Sequence, residues 1–286
     1  MEQFIDHPLV IPVGLGILGV NVVGWLALLF SRPASASDAA DTAALMRALL
    51  AEGLGSFALL LMGTLTVLSG PITGGEPASP LTLALTYSLV LTACLGALGP
   101  LSGGHFNPVV TLAWLGTGQI SPVAGTAYLV VQLVGATAAT GLVGWLFGSD
   151  LLQQAIPAPG PNIPLRAAFL LEAIAMGLLL ALTYALAQQS RSTRSPGPLM
   201  GVAHAGIMLT LIPWTGAALN PLRFLAPALT AQKLDGWLIY TTGPLVGGLV
   251  GAALVYLFLR PAEPTEVILH LDDEEDTQIT LHRPAA

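Results

Sequence analysis

Charge is scarce in this 286-residue chain: Asp, Glu, Lys and Arg make up 9% of it, against 54% hydrophobic residues and a mean hydropathy of +0.77. That balance excludes a soluble domain of this length, whose surface would need far more charge. Cysteine is rarer still. The single copy, Cys94, excludes an internal disulfide and reads as a small core residue in an apolar stretch. The histidines, His7, His105, His204, His270 and His282, are scattered and show no metal-ligand spacing. With no nucleophile, metal cluster or paired acids converging, the expectation is no metal, no cofactor and no enzyme activity. The net charge of −7 says little about partners, and no nucleic acid is expected. Seven of the sixteen acidic residues (Glu263, Glu266, Asp272, Asp273, Glu274, Glu275 and Asp276) sit near the C-terminus, where Arg283 is the one Lys or Arg. The rest of the chain is close to neutral.

What the sequence has instead is long apolar runs. Seven are long enough to cross a bilayer: Pro8 to Phe30, Leu50 to Leu68, Leu81 to Gly99, Pro122 to Phe147, Leu165 to Ala187, Pro198 to Trp214 and Trp237 to Leu259. The sixth is the shortest. The expected class is therefore all-α and polytopic, embedded in the lipid bilayer. Ala34-Ser35-Ala36 resembles a signal-peptidase site, but Met1-Glu2-Gln3-Phe4-Ile5-Asp6 is acidic where a signal is basic, so the first run is read as an uncleaved extra transmembrane helix. Placing the N-terminus outside puts Arg32, Arg47, Arg191, Arg194, Arg260 and Arg283 on the cytoplasmic side, with the C-terminus, and leaves Arg166, Arg223 and Lys233 outside. Short loops suit a plasma membrane of the bacterial inner type.

Two Asn-Pro dipeptides organise the rest. Asn107-Pro108 follows Leu101-Ser102-Gly103-Gly104-His105-Phe106, and Asn220-Pro221 follows Thr215-Gly216-Ala217-Ala218-Leu219. Asn is a favoured N-cap and Pro suits the first helical position, so each dipeptide starts a helix. The apolar segments that follow, Val109 to Gly116 and Leu222 to Thr230, are half the length of a crossing, which makes them re-entrant half-helices. Three crossings separate the two, so they enter from opposite faces and meet near the midplane. The chain is thus an inverted duplication, with repeats at about 49–147 and 164–260 inside a membrane unit at 49–260. Residues 1–48 form the extra helix and linker, with Thr42 to Leu50 continuing into the next span. Residues 261–286 form an acidic cytoplasmic tail, either a small hairpin around Asp272-Asp273-Glu274-Glu275-Asp276 or a disordered segment.

Glu52 and Glu172 are the acids inside the predicted spans, and each is expected to open the first helix of its repeat. A membrane-buried acid costs roughly 3 kcal/mol and needs partners. We expect each carboxylate to accept hydrogen bonds from its re-entrant loop, with His105 a partner for Glu52. A proton relay is the competing reading.

Here the residues resemble a known family. Ser102-Gly103-Gly104-His105-Phe106-Asn107-Pro108-Val109-Val110-Thr111, Tyr128-Leu129-Val130-Val131-Gln132-Leu133-Val134-Gly135-Ala136, Thr215-Gly216-Ala217-Ala218-Leu219-Asn220-Pro221-Leu222-Arg223 and Gly243-Pro244-Leu245-Val246-Gly247-Gly248 are similar, in order, to strings of the aquaporin, or major intrinsic protein, family. The resemblance covers about residues 50 to 260 and implies an aquaporin-like fold, a homotetramer with one pore per subunit, and passage of water or small neutral solutes. It also implies a narrow filter at Tyr87, Met208, Ala217 and Arg223. His204, one turn from Met208, would be the filter histidine if the register slipped, but reads better as a buried, satisfied histidine. Two half-helix N-termini pointing at one spot disfavour cations, as in aquaporin-type pores generally. Asn107 and Asn220 can cap with the side-chain oxygen and offer the amide NH2 to the pore, turning a central water so that the proton wire is broken.

The chain also departs from the family pattern. Val109 and Leu222 follow the prolines where alanine is usual, which is expected to shift the packing or narrow the pore. Phe224 stands where glycerol-conducting members commonly carry an acid, which favours water, whereas Met208 in place of a histidine makes a less polar filter that suits small neutral solutes such as glycerol. Water conduction with exclusion of protons and ions is the reading preferred. A non-conducting scaffold would carry the same sequence.

Overall fold

The computed structural model describes residues 36–189, 197–259, 266–270 and 278–282. The extra helix expected over Pro8 to Phe30 lies outside the described residues. Six helices are long and apolar enough to span a membrane. In chain order the helices are α1 (Ala36–Thr73), α2 (Pro80–Ala97), α3 (Pro108–Gly116), α4 (Pro122–Phe147), α5 (Leu165–Gln189), α6 (Gly197–Thr215), α7 (Pro221–Thr230) and α8 (Gly243–Leu254). A helical turn at Gly99–Ser102 precedes α3, a 3-10 turn at Ser149–Ala155 follows α4, and π turns at Leu238–Thr242 and Val255–Leu259 flank α8.

Local chemistry starts four of these helices in the same way. Ser79, Asn107, Ser121 and Asn220 are N-caps whose side chains accept a hydrogen bond from the first turn, and each is followed by a proline at the first helical position. The half-helices α3 and α7 match their expected extents to within a residue, at roughly 14 Å each against the ~30 Å apolar layer. The expectation for the shortest span is corrected: α2 has 18 residues and α6 has 19. The helix carrying Glu52 begins at Ala36, so Glu52 lies well inside α1 instead of opening it, and Glu172 lies two turns into α5.

Close crossings hold each repeat together. A Cβ on Gly135 would meet the Gly53 carbonyl oxygen at 2.2 Å, so α1 and α4 touch backbone to backbone. In the second repeat, Gly247 and Gly251 of α8 press on Ala173 and Gly177 of α5 in the same way. With no hydrophobic drive between helices in lipid, this close approach and its dispersion contacts are what favours the pairing. Large apolar side chains on the outside, such as Leu50, Trp145, Val202 and Phe258, are 71–80% exposed, as a lipid-facing surface requires. In the tail, β1 (Glu266–His270) and β2 (Gln278–His282) pair antiparallel, with Ile268 opposite Thr280. This is the hairpin alternative of the sequence reading, appended to an otherwise helical chain.

Candidate functional site

Each re-entrant loop is tied to one buried carboxylate. Glu52 Oε1 accepts from Ser102 Oγ at 2.7 Å and from the His105 backbone N–H at 2.8 Å, while Oε2 accepts from the Phe106 N–H and from Gln132 Nε2, both at 2.7 Å. Glu172 repeats the pattern with Thr215 Oγ1 at 2.6 Å, the Ala218 N–H at 2.9 Å and the Leu219 N–H at 2.8 Å. Tyr128 and Tyr240 close the back of each loop by donating to the Ser102 and Thr215 carbonyls. Both acids are fully buried, and charge-assisted bonds of this length are the compensation a membrane-depth carboxylate needs. The loop-holding geometry expected of Glu52 and Glu172 is present. His105 reaches Glu52 by its backbone, not its ring, whose Nδ1 lies 3.1 Å from Thr111 Oγ1. Gln132, Thr111 and the two tyrosines were not anticipated; the available signal was a tyrosine 21 residues after Asn107 and another 20 after Asn220. Gln132 turns its Nε2 toward the acceptor-only carboxylate and toward Thr111, which leaves its buried Oε1 without a partner.

The two half-helices meet N-terminus to N-terminus. Asn107 Oδ1 accepts from the Val109 N–H at 2.9 Å and Asn220 Oδ1 from the Leu222 N–H at 3.0 Å. Each amide then reaches across: Asn107 Nδ2 donates to the Leu219 carbonyl at 3.3 Å, and Asn220 Nδ2 donates to the Phe106 carbonyl at 2.9 Å. Those two carbonyls belong to residues at φ +47° and +56°, so left-handed backbone just before each Asn aims the acceptor at the opposite half-helix. The expected capping is present, but Asn107 Nδ2 also reaches the buried Met176 Sδ at 4.0 Å, so only Asn220 keeps an amide hydrogen without a protein acceptor. Both Asn residues line a cavity of about 80 Å3, and by the same measure a single water takes roughly 10–15 Å3.

Tyr87, Met208 and Arg223 line that cavity too. The Arg223 guanidinium lies 4.8 Å from the Tyr87 ring centre, and its Nη1 donates to the Gly216 and Ala217 carbonyls. Gly63 makes room for Tyr87, since a Cβ there would overlap the phenol at 1.9 Å. Ala217 is fully buried, and its carbonyl accepts from Arg223 Nη1. His204 has the hydrogen-bond partner expected of a satisfied histidine. Its Nδ1 is satisfied by Ser88 Oγ at 2.9 Å, yet the residue also lines the cavity one turn from Met208. Val109 and Leu222 are buried and do not line the cavity, and Val109 packs into the space left by Gly248. Phe224, buried, stacks on Tyr240 at 5.4 Å.

Residues 39–256 match the family model for the major intrinsic protein. The chain belongs to the major intrinsic protein family. Aquaporin TIP4-4 of Zea mays is 34% identical over 245 residues, covering 82% of this chain and 95% of that protein. A glycerol uptake facilitator protein-like 6 of Lactiplantibacillus plantarum is 32% identical over 212 residues, covering 72% of this chain and 95% of its own length. Among solved structures, the aquaglyceroporin from Plasmodium falciparum aligns with a TM-score of 0.66 at 22% identity, over 75% of this chain and 97% of that one, and supports the fold. This family member is an integral, multi-pass membrane channel, and its relatives include both aquaporins and glycerol facilitators.

Proposed function

We propose that the chain conducts water passively and excludes protons and ions. The observation that carries this reading is the junction: two capped half-helices face each other across a narrow lumen, with Asn107 and Asn220 both in its wall. A water there accepts from the free Asn220 amide hydrogen and from Asn107 where its long contact to Met176 Sδ yields, and its own protons turn away along the axis. The paired dipole ends disfavour any cation at that point. Toward one mouth, Arg223 beside Tyr87 and Met208 serves as the selecting ring, a fixed positive charge and donor that a neutral solute can use. Ala217 contributes its carbonyl as the clamp on Arg223. We further infer a homotetramer in a plasma membrane of the bacterial inner type, with the C-terminus cytoplasmic and Arg223 facing outward.

A second reading, passage of small neutral solutes such as glycerol, is favoured by Met208 and by the leucines Leu59, Leu60, Leu91 and Leu95 along the lumen. Stopped-flow light scattering on proteoliposomes decides between them. Fast shrinkage under sucrose without re-swelling under glycerol is expected, and Arg223→Ala should admit glycerol. Rapid re-swelling by the unaltered protein moves it to the solute reading, and permeability equal to empty liposomes overturns conduction.

A further inference from the structure

The inverted repeat gives every corner of the fold a counterpart, and one pair of corners differs in charge. In the first repeat, Leu45 and Ile120 pack on Ala48, Leu49, Ala127 and Tyr128, between α1 and the start of α4. In the second, Ala168, Ile239 and Tyr240 form the matching cluster, with Phe169 and Leu234 packed on it, and beside it, between the start of α5 and the loop before Leu238, lies a cavity of about 1210 Å3. Its rim carries Arg166 and Lys233, both exposed. The spacing of Glu52 to Glu172 places Met46 opposite Arg166, and the matching turns after the half-helices, where the Gln119 and Lys233 N–H groups donate to the Trp114 and Ala228 carbonyls, place Gln119 opposite Lys233. The duplicated fold therefore does not require these bases. Among the described residues neither side chain is in an ion pair, and Asp235 is the one acid on the rim, so positive charge is in excess.

We propose that this cavity binds an anionic glycerophospholipid, its phosphate held by Arg166 and Lys233 and its acyl chains lying along Leu165, Leu170 and Leu238. The lining is mostly apolar below a basic rim, the arrangement that suits an amphiphile with a negative head. Helix starts and the exposed Trp237 set the rim at headgroup depth, where tryptophan is enriched. Leu165, Leu170 and Leu238, at 68%, 56% and 49% exposed, continue the wall into the apolar layer. A second copy of the chain is less suited, because two bases would need acids opposite them.

The test is native mass spectrometry of the full chain released from nanodiscs holding equal phosphatidylglycerol and phosphatidylcholine. The protein should retain phosphatidylglycerol preferentially. A double variant, Arg166→Gln with Lys233→Gln, should lose at least fivefold of that retention, while Arg166→Lys with Lys233→Arg keeps it. Both should elute as the unaltered protein does, since the side chains are exposed and unpaired. Equal retention of the two lipids, or undiminished retention by the Gln variant, overturns the proposal. So does a disulfide between subunits formed by Trp237→Cys in a Cys94→Ser background, which would put protein where the lipid belongs. Lipid retention is independent of conduction, so the two proposals fail separately.

Discussion

A buried carboxylate acts here as a surrogate backbone, supplying acceptors that helix or sheet would otherwise provide. Glu172 accepts three donors from its loop, and an amide in its place must turn NH2 toward at least one of them. Glu172→Gln should therefore cost about 1–3 kcal/mol, the penalty of one orphaned donor, read as a lower midpoint of thermal unfolding in detergent. An unchanged midpoint would remove the loop-holding role. The equivalent positions Gly104 and Ala217 give a pair of opposite sign. Both adopt positive φ, +69° and +51°, where a Cβ costs about 1–2 kcal/mol. Ala217→Gly should gain about 0.5 kcal/mol after the extra chain entropy of glycine, and Gly104→Ala should lose about 1–2 kcal/mol. Unfolding midpoints that move the same way would show that strain does not govern these sites.

Among the elements, the half-helices owe their position to the full helices behind them. The α5–α8 contact is the tightest crossing, with Gly247 where a Cβ would sit 1.7 Å from the Ala173 carbonyl oxygen. Gly247→Val forces those helices apart, and the Glu172 network on α5 would lose its register with the α7 loop. We expect monodisperse protein to disappear from size-exclusion profiles. Gly206→Val on α6 meets nothing within 4 Å and serves as the control. Equal profiles for the two variants would show that the crossing tolerates separation. Gly247 was legible as a small residue in a helix-packing run, but its partner helix was not, because a run of small residues records closeness without recording to what.

Across the whole molecule, the inverted repeat places two dipole ends and two Asn amides at one level. Replacing both amides by carboxylates, Asn107→Asp with Asn220→Asp, sets negative charge at the spot where cations are otherwise disfavoured. Proteoliposomes with this variant should leak protons or potassium at least tenfold faster, followed with a pH-sensitive or potential-sensitive dye. A leak no larger than that of the unaltered protein would shift the cation barrier to Arg223 alone. The two bases at the α5 corner belong to this scale too, since they are recognisable as unusual only against the uncharged counterpart in the first repeat.

Composition, run length and the two Asn-Pro starts were enough to determine the class, the six described crossings, the half-helices and their opposed entry, because each follows from local propensity or from counting crossings. The roles of individual side chains were less visible. The family resemblance implied that Tyr87, Met208 and Arg223 stand together, and in the structure all three line one lumen. It could not show that the Ala217 carbonyl holds Arg223, that Val109 has room at Gly248, or that His204 is both satisfied and exposed to the lumen. Those facts depend on rotation about helix axes and on which carbonyls a left-handed residue releases. Such properties are set by contacts between segments more than a hundred residues apart, so tertiary packing alone decides them.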